Sequence, residues 1–204
     1  HAHATTVFSS VNDDANAGQT LPTPGSAAPG DWRGIRITPS AIPAEVVLHG
    51  VQIHYAGEAG TAGIEVDNNN PSFQRLLISH NKLGIRVLDG GAPIVTESSV
   101  IHNDVAIESD QYAAPTINNS EIVGNLEFGI LNLTPDSTVD ARANWWGDLS
   151  GPYNAFSNPG GTGDPVSDGV DYGSYLAAAP LLDCYVDVAN GIYTISQPNV
   201  ELKL

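Results

Sequence analysis

Short runs of alternating apolar and polar residues recur along the chain, and each run ends at Gly, Asn, Asp or Pro. Leu76-x-Ile78 and Ile85-x-Val87 are two such runs, with a turn at His80-Asn81 between them. Alternation over a few residues indicates β-strands with one buried face. No window has the apolar spacing of a three-turn helix. Regular repetition of short strands and turns is typical of a solenoid, in which each unit stacks on the next.

Two sets of marker residues recur in phase with these strands. An asparagine follows the first strand of each repeat, at spacings of 22, 22 and 19 residues, and a Gly-Ile or Ala-Ile pair follows each turn. About 22 residues accommodate three short strands and three turns at ~3.3 Å per residue. This is one coil of a parallel β-helix. The asparagines are Asn81, Asn103, Asn125 and Asn144, and the pairs are Gly34-Ile35, Gly63-Ile64, Gly84-Ile85, Ala106-Ile107 and Gly129-Ile130.

Composition divides the chain into three segments. Residues 1–147 contain the repeats and predict β-helix coils, with a polar, Gly- and Pro-rich lateral loop at about residues 12–31. Residues 148–183 are rich in Gly, Pro and Asp and predict an irregular cap. Residues 184–204 alternate again and predict C-terminal strands. The predicted fold is therefore all-β: a single-stranded right-handed parallel β-helix with a long N-terminal lateral loop and an irregular C-terminal cap.

The asparagines should stack at one turn of the β-helix. Equivalent positions of successive coils lie about 4.8 Å apart, so their amides are close enough to bond the turn backbone and one another. Asparagine also tolerates the left-handed backbone of tight turns. The sequence favours a structural amide ladder, with a polar track for a ligand as the alternative.

A second column carries charges that alternate from coil to coil. The marker isoleucines should point inward, so the residues that follow them point outward. Opposite charges on neighbouring strands attract, whereas a slip by one coil would bring like charges together. We expect a ladder that sets the register of the coils, although each exposed pair contributes less than ~1 kcal/mol. Its members are Arg36, Glu65, Arg86 and Glu108.

A third column precedes the asparagines and contains Tyr55, His80, His102 and Gly124. Two stacked histidines beside a tyrosine suggest metal binding, but a pair without a carboxylate is a small ligand set. The sequence favours a partly exposed aromatic-polar stack.

Composition limits the partners of the chain. The 204 residues include 23 Asp and Glu against seven Lys and Arg, for a net charge of −16. The negative electrostatic field of this charge disfavours nucleic acid and anionic membranes as partners. The sequence has no run of 18 apolar residues, so no membrane-spanning segment is predicted. Cys184 is the only cysteine, so there is no disulfide framework. Strong hydration of an acidic surface suits a high-salt or extracellular setting.

The same acidity is compatible with calcium. Asp164, Asp168 and Asp171 lie in a glycine-rich segment whose carbonyl groups could complete a site of oxygen ligands. The alternative is a solvated acidic loop. No cofactor is required, and calcium is the one predicted ion.

Two motifs resemble a known group of proteins. Pro29-Gly30-Asp31-Trp32-Arg33-Gly34-Ile35 and Ala143-Asn144-Trp145-Trp146-Gly147, followed by Gly151-Pro152, are similar to motifs of microbial secreted and cell-surface proteins with right-handed parallel β-helix repeats. In that adhesin-like group, Asn-Trp-Trp-Gly and Gly-Pro close a run of coils. Trp-Gly-Gly-Ile is usual there, where this chain has Trp32-Arg33-Gly34-Ile35. The resemblance implies an extracellular or cell-surface location and says little about activity.

Trp145 and Trp146 have two possible roles. The end of a solenoid exposes apolar core and unpaired strand edges, and large side chains protect it. Exposed indole faces also suit stacking on sugar rings. We expect a cap, with sugar stacking as the alternative.

The resemblance also includes enzymes, because pectate lyases, polygalacturonases and uronate epimerases share the fold. Their Asn-Thr-Asp, Gly-His-Gly and Asp-Pro-His-Asp motifs are absent, and so is an Asp-Asp pair within the coils. Function has to be argued from a site and not from a fold. The sequence favours a non-catalytic extracellular segment of a surface adhesin, stalk or fibre that assembles end to end. Its expected partners are neighbouring segments or subunits and polysaccharide. The alternative is a carbohydrate-active β-helix that binds, cleaves or epimerises polysaccharide.

Overall fold

The computed structural model describes residues 6–17 and 25–180. The predicted C-terminal strands at 184–204, and Cys184, lie outside the described residues. One helical turn, α1 (Asp14–Ala17), lies in the lateral loop, and two 3-10 turns occur at Pro43–Glu45 and Glu58–Gly60. In chain order the strands are β1 (Thr6–Phe8), β2 (Ile35–Ile37), β3 (Val47–His49), β4 (Val51–His54), β5 (Ile64–Asp67), β6 (Ser72–Gln74), β7 (Leu77–Ser79), β8 (Leu83–Leu88), β9 (Ile94–Thr96), β10 (Ser99–Ile101), β11 (Val105–Ser109), β12 (Thr116–Asn118), β13 (Glu121–Val123), β14 (Phe128–Asn132), β15 (Val139–Asp140) and β16 (Val170–Asp171).

From β1 to β15 every third strand joins the same sheet, β16 then pairs with β15, and all pairings between these strands are parallel. The first sheet has the order β1-β4-β7-β10-β13, the second β2-β5-β8-β11-β14 and the third β3-β6-β9-β12-β15-β16. Four complete coils therefore span residues 51–74, 77–96, 99–118 and 121–140. The prediction of an all-β, right-handed parallel β-helix is confirmed.

The core is a narrow column along the axis of the coils. The pairs Ile64–Ile85, Ile85–Ile107 and Ile107–Ile130 lie in register on adjacent strands of the second sheet, and all four side chains are at most 1% exposed. Because side chains alternate along a strand, the residues next to these isoleucines in sequence point to the opposite face of the sheet. Gly84 allows close stacking, because a Cβ there would lie 2.5 Å from the carbonyl oxygen of Ala106.

The two ends of the coil stack differ. At the N-terminal end, Asp31 closes the base of the lateral loop by accepting hydrogen bonds from Ser10 Oγ at 2.6 Å and from Ala28 N at 3.2 Å. At the opposite end, Glu121 forms an isolated bridge with Trp145, and Ile130 forms one with Val166. The chain after the fourth coil therefore continues the first two sheets by single bridges.

No helix among residues 6–17 and 25–180 is long and apolar enough to cross a bilayer.

The core column generates a stability prediction. Ile107→Ala should destabilise the protein by about 2–5 kcal/mol, because it leaves a cavity between two neighbouring coils. Ile94→Ala is the matched control, since Ile94 is 46% exposed on the outside of the third sheet. The measurement is the urea midpoint of unfolding for both variants. Equal shifts for the two variants would show that Ile107 is not part of a packed core.

Candidate functional site

The turn between the first and second sheets contains a continuous ladder of side-chain amides. Asn81 Nδ2 donates to Asn103 Oδ1 at 2.9 Å, and Asn103 Nδ2 donates to Asn125 Oδ1 at 3.1 Å. The same oxygens accept the backbone N–H groups of Asn81 and Asn103. Asn103 is fully buried, so these bonds satisfy polar groups that water does not reach.

Asp164 occupies the end of this ladder. Its carboxylate accepts bonds from Gly124 N at 2.9 Å, Asn125 N at 2.8 Å and Asn125 Nδ2 at 2.7 Å. Burial raises the pKa of Asp164, although the N–H groups of Asn125 and Gly124 act in the opposite direction. A residue of the segment after the fourth coil thus completes the hydrogen bonding of the coils.

The prediction that Asn144 belongs to this ladder is wrong. Asn144 terminates a second ladder at the turn between the third and first sheets, where Asn144 Oδ1 accepts Ser120 N at 2.9 Å. Ser120 Oγ accepts Ser98 N, and Ser98 Oγ accepts Leu76 N, both at 3.1 Å. Asn144 is 19 residues after Asn125, and not 22, because it lies at a different turn of the coil.

The left-handed backbone also lies one residue before the position we expected. Tyr55, His80, His102 and Gly124 have φ between 54° and 72°, whereas Asn81, Asn103, Asn125 and Asn144 do not have positive φ. The asparagines therefore serve as hydrogen-bonding groups, and the aromatic-polar column provides the turn.

The charged residues come together on the outer face of the second sheet. Arg36 Nε lies 3.1 Å from Glu65, and Arg86 Nε lies 2.7 Å from Glu108. Arg86 also lies 3.8 Å from Glu65. Glu65 and Arg86, in the middle of the ladder, therefore each have an opposite charge on both sides. Arg36 makes a further pair with Asp67 at 2.7 Å. The next residue in register is Leu131, where the ladder ends.

The column before the asparagines forms a tilted stack. The ring centroids of Tyr55 and His80 are 5.6 Å apart, and those of His80 and His102 are 5.7 Å apart. The imidazoles of His80 and His102 are exposed, and Tyr55 is half-buried. The ring of His102 covers Gly124, where a Cβ would lie 2.6 Å from His102 Nδ1.

A buried polar cluster lies beneath this stack and was not predicted. His54 Nδ1 is 2.8 Å from Ser79 Oγ, which is also 3.0 Å from His80 Nδ1. Burial lowers the pKa of His54, and the nearby carboxylate of Asp13 partly offsets that effect. Asp13 belongs to the lateral loop and is bonded to Ser9 and Asn16. Asp13 therefore acts on His54 from the lateral loop through its charge.

A shallow groove of about 390 Å³ follows the outer face of the third sheet. Its walls combine the exposed aliphatic side chains of Val47 and Ile94 with the polar groups of His49, Gln74 and Thr96. The groove is open to solvent and combines apolar surface with a few hydrogen-bonding groups.

Comparison with known proteins identifies the family. A family model described as right-handed β-helix region matches residues 32–145, which is more than half of the chain. The chain belongs to this right-handed β-helix family. No curated protein and no solved structure gives a significant match.

Trp145 and Trp146, the two residues predicted to form the cap, have different environments. Trp146 is 1% exposed and packs in the core, so its ring is not available to a sugar. It lies against Gly129 in the fourth coil, where a Cβ would be 3.1 Å from the indole. Trp145 is half-buried. The environment of Trp146 is that of a cap over the last complete coil.

The three aspartates predicted to bind calcium do not converge. Asp164 is engaged with Asn125, whereas Asp168 is exposed and Asp171 faces Arg142 at 3.7 Å. The part of the chain that the structure describes has no group of three or more His, Cys, Asp or Glu side chains suited to a metal ion. The ligand set Asp164, Asp168 and Asp171 is therefore wrong, because Asp164 is used inside the fold.

The charge ladder generates a prediction about register. Arg86→Glu should lower the melting temperature, because it places three acidic side chains on consecutive strands. Adding Glu108→Arg restores the closest pair and should recover part of the loss. Thermal unfolding by circular dichroism at low ionic strength measures both steps. If the double variant melts no higher than Arg86→Glu, the ladder does not contribute through charge.

The amide ladder generates a second prediction. Asp164→Ala should cost about 2–4 kcal/mol, because three N–H groups at the end of the ladder lose their acceptor. Asp168→Ala is the control, since that side chain is exposed in the same segment. Chemical unfolding of both variants provides the comparison. A loss no larger for Asp164→Ala than for Asp168→Ala would contradict the role of Asp164.

Proposed function

We propose that this β-helix is a non-catalytic extracellular segment of a surface adhesin, stalk or fibre. It joins neighbouring segments or subunits through the N-terminal edge of its coils. The proposal rests on the strand pairing at that edge. Among the described strands, β1, β2 and β3 each have one hydrogen-bonded neighbour. Such edges bind further strands unless they are blocked.

The side chains at this edge support stacking of a further coil. Phe8, at the end of β1, is 38% exposed. Arg36 on β2 pairs with acidic groups of the next coil, yet its side chain is 60% exposed. A coil that carried an acidic residue in the same column would extend the alternation by one step. This feature favours a partner with the same repeat over an unrelated protein.

The opposite end favours a direction for this assembly. Trp146 fills the core beyond the fourth coil, and Asp164 completes the amide ladder. Growth of the stack through the N-terminal edge therefore disturbs fewer contacts than growth through the C-terminal end.

Composition supports an extracellular or cell-surface location. The net charge of −16 gives a strongly hydrated surface. In the second sheet, acidic side chains form ion pairs between neighbouring coils. This arrangement fits a structural role in a stalk or fibre.

Self-association through the edge is directly testable. Sedimentation velocity over a concentration series should show a rising average mass for the wild type, because the open edges pair. Phe8→Lys should abolish the rise by placing a charge at the edge. Leu126→Lys should preserve it, since Leu126 is 79% exposed on the fourth coil, away from β1. A wild-type protein that stays monomeric at its highest soluble concentration would contradict self-association.

Polysaccharide binding is the second candidate, and the groove on the third sheet favours it. Ile94 offers an exposed apolar surface, and Gln74 and Thr96 offer hydrogen bonds beside it. Affinity electrophoresis in gels containing neutral or acidic polysaccharides tests this function. Ile94→Asp should reduce retardation, whereas Leu133→Asp should not, because Leu133 is exposed outside the groove. Equal retardation of both variants and the wild type would rule out binding in this groove.

A further inference from the structure

The two exposed histidines of the aromatic-polar column share one geometry. His80 and His102 occupy the same position in successive coils, and His80 N donates to the His102 carbonyl oxygen at 3.1 Å. Their φ angles are 58° and 54°, so both side chains leave the backbone in the same direction. Their ring centroids are 5.7 Å apart, with the planes inclined by 45°.

The surroundings orient both rings. His80 Nδ1 lies 3.0 Å from Ser79 Oγ, and His102 Nδ1 faces the Cα of Gly124. In each ring Nε2 is therefore the nitrogen left for a ligand. Histidines that bind metals usually hold their second nitrogen in a hydrogen bond, and His80 has such a bond with Ser79. Ser79 is itself buried and also contacts His54, which fixes its hydroxyl.

Charge around the pair favours a cation. The negative field of Asp13 reaches His80, and that of Asp164 reaches His102. The column is thus flanked by a carboxylate at each end.

We propose that His80 and His102 form a two-histidine site for a divalent transition metal ion of the Zn²⁺, Ni²⁺ and Cu²⁺ class. Imidazole suits these ions, whereas calcium and magnesium prefer oxygen ligands. Metal–nitrogen distances of about 2.0–2.1 Å bring two ring nitrogens to roughly 3.3 Å in a tetrahedral site. Rotation of the two exposed rings, whose centroids are 5.7 Å apart, would bring the nitrogens to this distance, and solvent would fill the other positions.

Binding joins two coils that are 22 residues apart in sequence. Both ligands are in place only in the folded coils, so the ion stabilises the folded state. The site adds a function to the β-helix that does not depend on its assembly or on the groove of the third sheet.

Calorimetric titration of the full chain with NiCl₂ tests the site. The wild type should bind one ion at least tenfold more tightly than His80→Gln or His102→Gln, and the double variant should match either single variant, because a chelate needs both rings. His49→Gln is the control, since it removes an exposed histidine on the third sheet. CaCl₂ and MgCl₂ should give no comparable heat.

Two further readouts use the same variants. NiCl₂ should raise the melting temperature of the wild type and of His49→Gln, but not of the double variant. The electron paramagnetic resonance spectrum of the Cu²⁺-loaded wild type should show a signal from paired nitrogen donors that is missing from the spectrum of the double variant. Equal Ni²⁺ affinity of the wild type and the double variant would overturn the proposal, as would a Cu²⁺ spectrum without paired nitrogen donors that the double variant lacks.

Discussion

Backbone hydrogen bonding between parallel strands holds each coil about 4.8 Å from the next, and the rest of the structure depends on this spacing. Residues at equivalent positions of the repeat are forced into contact, whatever their chemistry. Isoleucine over isoleucine forms a dry core, amide over amide forms a ladder, and arginine over glutamate forms ion pairs. Each column is stable only because its members match at this distance.

The nearly constant length of the later coils explains why much of the fold is predictable from sequence. A spacing of 22 residues places Ile85 beside Ile107 and Arg86 beside Glu108, so their contacts follow from counting residues. The alternation of strands then separates the inner column from the outer one. No long-range information is needed where every partner lies one repeat away.

The predictions failed at the end of the repeat and outside it. Between Ser120 and Asn144 the interval is 24 residues, and the asparagine moves to a different turn. Asp164 reaches Asn125 across 39 residues, through a segment that has no repeat to count. The serine ladder does have a signal, because Ser98 and Ser120 are 22 residues apart. Asp13 approaches His54 from the lateral loop, and nothing in the repeat indicates where a loop folds back.

The alternating charges of the second sheet have a consequence for how the repeat array can evolve. Duplication or loss of a single coil would bring like charges onto neighbouring strands. Without the coil that carries Arg86, for example, Glu65 would face Glu108. Gain or loss of two coils keeps opposite charges adjacent. The isoleucine core and the amide ladder do not distinguish odd from even numbers, since their members are identical. The ion pairs therefore make two coils, and not one, the unit in which this array lengthens or shortens without electrostatic conflict.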